Sequence, residues 1–177
     1  TCLGKLGRYA EALAEYDRAF QLEPAWITWS NLNHEYGFLL ARSGDVARAY
    51  GVLNKGLASG SKPYALRSLA LLSMYEGRNA AGQAYLRQSL ALLGTEVILF
   101  AESRTRLLLA IALAEAGKRD AARRELRVAR DRAETAKAPA WLQVRIAVEF
   151  ARTGAHREAS AIAAAIREGL DTASAEQ

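Results

Sequence analysis

His34 opens the stretch His-Glu-Tyr-Gly-Phe, which begins as a zinc-binding helix of a metalloprotease does, with a ligand followed by a general base. The second histidine ligand belongs four residues on, and Phe38 stands there instead. The other histidine, His156, is far along the chain, so two histidines cannot share a metal with the usual spacing. Cys2 is the single cysteine, which removes disulfides within the chain and cysteine zinc clusters. The stretch from Gly77 to Gln83 has glycines but lacks the Lys-Ser/Thr pair of a phosphate loop, and no Gly-x-Ser-x-Gly elbow occurs. No catalytic residue, metal ligand or cofactor site is expected.

One charge feature stands out. Between Lys118 and Arg132 the basic side chains cluster, and Arg123, Arg127 and Arg130 fall at i, i+4 and i+7 on one helical face, where phosphates could meet them. Asp120, Glu125 and Asp131 interrupt the run, and no aromatic alternates with the arginines to stack bases. An ordinary solvated helix face is the simpler expectation, and nucleic acid is a disfavoured partner. The net charge of +5, from 24 basic and 19 acidic residues, is a weak bias.

The elements that must carry these residues are helices. The 177 residues are 51% hydrophobic with 3 prolines, rich in Ala and Leu, and glycine or proline falls between runs too long for strands. The longest uncharged apolar stretch, Leu107 to Ala114, is too short to span a bilayer, so no membrane insertion is expected. No secretory pattern is visible, and a cytoplasmic location is the expectation.

Five glycines set a register: Gly7, Gly44, Gly77, Gly117 and Gly154, spaced 37, 33, 40 and 37 residues apart. Five residues after them stand Ala12, Ala49, Gly82, Ala122 and Ala159; nine after stand Tyr16, Leu53, Leu86, Leu126 and Ala163. Seven before the last four stand Gly37, Ala70, Ala110 and Ala147; eight before stand Tyr36, Leu69, Leu109 and Ile146. Small residues let two antiparallel helices cross closely, and the large neighbours fill the space beside the crossing. The period predicts helices over 8–23, 26–43, 45–58, 63–76, 78–93, 96–116, 118–136, 139–153 and 155–170. Residues 1–6 read as the tail of a helix that starts upstream. Pro63 and Pro139 suit a first turn, Gly60 and Gly94 a helix end, Thr95 an N-cap, and Val97 to Phe100 packing.

The small residue, glycine turn, aromatic Tyr9, small residue, large apolar residue and closing Pro24 resemble the tetratricopeptide repeat (TPR) family. The resemblance implies an all-α, right-handed superhelical solenoid of antiparallel hairpins, about 4.5 repeats over residues 1–170, with 171–177 a flexible tail. It further implies a concave face lined by the first helix of each pair. In this register that face carries His34, Phe38 and Arg42, then Tyr64, Arg67, Leu71, Met74 and Tyr75, then Arg104, Leu107 and Ile111, then Trp141, Val144, Arg145 and Val148. Leu107, Ile111 and Val148 are expected to pack against the next repeat. Family members that clamp chaperone C-termini use asparagines and lysines where this chain has Phe38, Ser68, Arg104 and Leu108, which disfavours that role.

The implied function is a protein-interaction scaffold, a segment of a larger protein of bacterial style, taking a peptide or helix with apolar anchors and some acidic charge. A regulatory repeat segment of a larger enzyme is the other alternative to nucleic-acid binding. Leu3, Leu6 and Tyr9, in a hairpin missing most of its first helix, suggest self-association through the N-terminal end.

Overall fold

A computed structural model describes residues 4, 6–58, 62–93 and 99–175, with the side chains of 30, 31 and 170–175 left aside. Among the described residues there are nine α-helices and no strand: α1 Tyr9–Leu22, α2 Ser30–Arg42, α3 Val46–Lys55, α4 Lys62–Tyr75, α5 Asn79–Leu93, α6 Leu99–Glu115, α7 Arg119–Thr135, α8 Ala140–Arg152 and α9 His156–Ala175. The chain divides into two compact units, Thr1–Ser89 and Leu90–Gln177.

The glycine register is what folds the hairpins. All five turn glycines take positive φ, from 75° at Gly117 to 93° at Gly44, which glycine adopts without steric cost. At Gly44 the amide reaches Ala41 O at 3.1 Å and the next amide, of Asp45, reaches Leu40 O at 2.9 Å, a Schellman closure. The pair recurs at Gly77, Gly117 and Gly154, and Lys137, at φ 47°, closes α7 the same way.

The small residues sit where the helices cross. A Cβ on Gly37 would come within 2.7 Å of Leu53 Cδ2, and one on Gly82 within 2.6 Å of Met74 Cγ and 3.2 Å of Ala70 O. Ala12, Ala49, Ala70, Ala110 and Ala122 are buried, as are their large neighbours Tyr16, Tyr36, Leu53, Leu69, Leu86, Leu109, Leu126 and Ile146.

The boundaries differ from the sequence reading in three places. Residues 26–43 are broken: Pro24–Thr28 is a 3₁₀ turn, and α2 starts at Ser30 after an extended Trp29. The buried Asn33 amide holds that turn by donating to Ile27 O at 2.9 Å and Val52 O at 2.6 Å. The helix read as 45–58 ends at Lys55 and continues as a 3₁₀ turn, Gly56–Ala58. The last helix runs to Ala175, past residue 170, where a tail was expected. Pro63 lies in the first turn of α4 and Pro139 caps α8. Gly60, Gly94, Thr95, Val97, Cys2 and Leu3 lie outside the described residues. Among those described, no helix is long and apolar enough to cross a membrane.

Candidate functional site

In the first unit, α2 and α4 are joined across their first-helix faces by a chain of polar contacts. The Ser68 hydroxyl lies 3.0 Å from Tyr64 O and 2.8 Å from His34 Nδ1, within hydrogen-bonding distance of both. The His34 ring lies 4.8 Å from Phe38, and the Arg67 guanidinium rests over the Tyr64 ring at 5.2 Å. Arg42 is exposed at the last turn of α2, and Tyr75, at 66% exposure, ends α4.

Met74 is placed differently from the sequence reading. Its side chain packs over Gly82 across the α4–α5 hairpin, half-buried, and fills the space that a larger residue at the crossing would need.

In the second unit, the Arg104 guanidinium is held by two aromatic rings, 5.7 Å from Phe100 and 5.5 Å from Trp141. The rings meet edge to face at 6.1 Å. Trp141 is half exposed, and no carboxylate among the described residues pairs with Arg104. One and two turns along α8, Val144 and Val148 extend the apolar stripe, with exposed Arg145 beside it. Leu107 is buried, as expected of a packing residue, Ile111 is half-buried, and Val148 is exposed. Val144 and Val148 also line an open groove of about 480 Å³ with Ala159, Ala163 and Ile166 of α9.

The basic run on α7 is tied to its surroundings. Arg127 pairs with Glu158 at 3.2 Å, Arg130 with Asp131 at 2.8 Å, and Arg132 with Glu102 at 3.0 Å. Arg123 is not a free surface cation: its Nε donates to Thr153 O at 3.0 Å, and its Nη2 to the same carbonyl, fastening α7 to the end of α8.

Sequence reasoning missed the side-chain clusters that lock the first unit. Tyr36 donates to Asp17 and receives from Arg48, whose Nη2 lies 2.7 Å from Asp17. One repeat on, Tyr50 donates to Glu76 at 2.6 Å and Arg78 pairs with Glu76 at 2.6 Å. Burial, and then the hydrogen bond to a carboxylate, push the Tyr36 phenol well above the ordinary tyrosine value and raise that of Tyr50. Burial and Glu35 do the same to Tyr16, while the Tyr16 hydroxyl holds the Glu35 carboxyl below its usual range. In the second unit, Arg106 bridges Glu102 and Glu125, each at 2.8 Å. Three of these pairs, Tyr16–Glu35, Asp17–Tyr36 and Arg106–Glu125, lie 19 residues apart, but the residue types change from pair to pair, so a register read from residue type carries no signal for them.

No family model matches the chain, and no curated protein matches it. Solved structures do. The crystal structure of PilW, a widely conserved type IV pilus biogenesis factor, superposes over 96% of this chain and 74% of its own, with TM-score 0.66 and 20% identity. The TPR-like repeats of a putative kinesin light chain from Podosopora anserina match 94% of this chain and 88% of theirs, at TM-score 0.67 and 18% identity. MamA matches 97% and 95%, at TM-score 0.59 and 15% identity. The chain therefore has the all-α helix-hairpin fold of tetratricopeptide-repeat proteins.

Proposed function

We propose that the chain is a protein-interaction scaffold whose first-helix faces receive a peptide or helix of a partner protein, with apolar anchors and acidic side chains. The observation that carries this reading is Arg104. A guanidinium resting against Phe100 and Trp141 is preorganised and free of any internal counter-ion among the described residues, so a partner's carboxylate gains a charge-assisted bond at little ordering cost. Trp141, Val144 and Val148 beside it supply apolar area, and His34, Phe38, Arg42, Tyr64, Arg67 and Tyr75 offer similar chemistry in the first unit.

The test is a double substitution. Against a partner recovered from native cells by crosslinking, Tyr75→Ala with Trp141→Ala is expected to weaken binding by about 2 kcal/mol or more, and Arg104→Gln to weaken it separately. Binding to random oligonucleotides that falls steeply with salt and vanishes on reversing Arg119 and Arg124, which have no ion-pair partner among the described residues, would instead favour the basic face of α7.

A further inference from the structure

A pocket of about 300 Å³ lies in the first unit among α1, α2, α3 and the 3₁₀ turn, apart from the faces described above. Its apolar wall is Phe20, Ile27 and Val52, and the buried Tyr36 ring closes one side. Gly51 opens its rim.

That glycine has no architectural explanation. Gly37, Gly56 and Gly82 each sit where an added Cβ would fall within 3.0 Å of another residue's side chain, whereas a Cβ at Gly51 would meet nothing within 4 Å. A glycine inside a helix costs about 1 kcal/mol relative to alanine. Gly51 lies within α3, without positive φ and without a crossing to relieve. Its missing side chain leaves the α3 rim of the pocket unobstructed.

The charges at the rim select the occupant. Asp17 is already paired with Arg48 at 2.7 Å, and the Tyr36 hydroxyl is bound to both. Lys55 lines the same pocket, is exposed and has no ion-pair partner among the described residues. The site therefore carries one uncompensated positive charge above an apolar wall, and Asp17 opposes a second negative charge on whatever enters. A volume at the lower end of ligand-site sizes admits a body of roughly one aromatic or branched side chain.

We infer that this pocket binds an apolar or aromatic monocarboxylate, its body against Phe20, Ile27 and Val52 and its carboxylate at Lys55. That chemistry is shared by a free carboxylic acid and by the terminal residue of a polypeptide, and it does not depend on the first-helix faces.

The experiment is a titration of the whole chain, followed by amide chemical shifts, with 3-phenylpropionate, with N-acetylphenylalanine and with the uncharged 3-phenylpropionamide. Saturable shifts at Gly51, Val52 and Phe20 are expected with the acids, and binding about tenfold weaker with the amide. Tighter binding of 3-phenylpropionate identifies a free acid as the source, and tighter binding of N-acetylphenylalanine a chain end. Gly51→Leu, which adds helix propensity in open space, should fold normally and abolish the shifts, and Lys55→Gln should reduce acid binding to the level of the amide. The inference is overturned if neither acid gives saturable shifts there, or if both variants bind the acids as the parent chain does. Trp141→Ala should leave these titrations unchanged, so failure at one surface is distinguishable from failure at the other.

Discussion

A phenol buried beside a carboxylate is a fixed donor, and its proton becomes part of the fold. Tyr16, Tyr36 and Tyr50 each donate to an acid on another helix or turn of the first unit, and each has its ionisation raised by burial first and the acid second. A group whose folded value lies above its unfolded one contributes stability that is fully present below the unfolded value, about 10 for tyrosine, and is lost as pH rises beyond it. Urea melts are therefore expected to show little change up to about pH 9 and a progressive loss of stability above about pH 10. Tyr36→Phe should lower stability by about 1 kcal/mol at neutral pH and flatten part of the alkaline loss, because the ionising hydroxyl is gone. An unchanged alkaline slope in that variant would show that Tyr36 is not one of the groups responsible.

For helices, the sequence was informative wherever one residue type is physically required. A turn in the left-handed region calls for glycine and a close crossing calls for a small side chain, so Gly44, Gly117, Ala49 and Ala122 could be placed by counting. Side chains that bridge helices leave no such trace. Asn33, the Tyr36–Asp17–Arg48 cluster and the contacts of Arg104 with Phe100 and Trp141 depend on how far neighbouring helices rotate and on which rotamers reach, and several residue types would serve. Arg123 shows the consequence, since its spacing reads as solvent face while its guanidinium caps Thr153. Ala122→Leu is expected to cost about 1 to 3 kcal/mol by overpacking the α6–α7 crossing, read from denaturant melts. Arg123→Leu, which would be neutral on a solvated face, should cost about 1 kcal/mol through the uncapped carbonyl; equal stability to the parent would mean that the bond to Thr153 is not formed in solution.

At the scale of the whole chain, the TPR-type fold and the hairpin count were legible because period and register repeat, whereas what the surfaces bind was legible only as a kind of chemistry. The register has a further use. Leu107 on α6 corresponds, 37 residues on, to Val144 on α8. Leu107 is 5% exposed, in a pair α6–α7 on which α8 packs, and Val144 is 45% exposed. Leu126 and Ala163 show the same contrast, buried in one repeat and exposed in the next. The end of the second unit thus presents the seat that an earlier hairpin offers to its neighbour, and duplicating residues 118–154 directly after Gly154 keeps every turn in register. The lengthened chain is expected to melt no lower than the parent, with helicity growing in proportion to length by circular dichroism; a lower melting temperature would show that the hairpins are not interchangeable. Nearly all the added contacts would be short in sequence, so the contact order, and with it the folding rate, should change little as the chain grows. Reach then becomes a quantity that can be altered in whole repeats without redesigning any one of them.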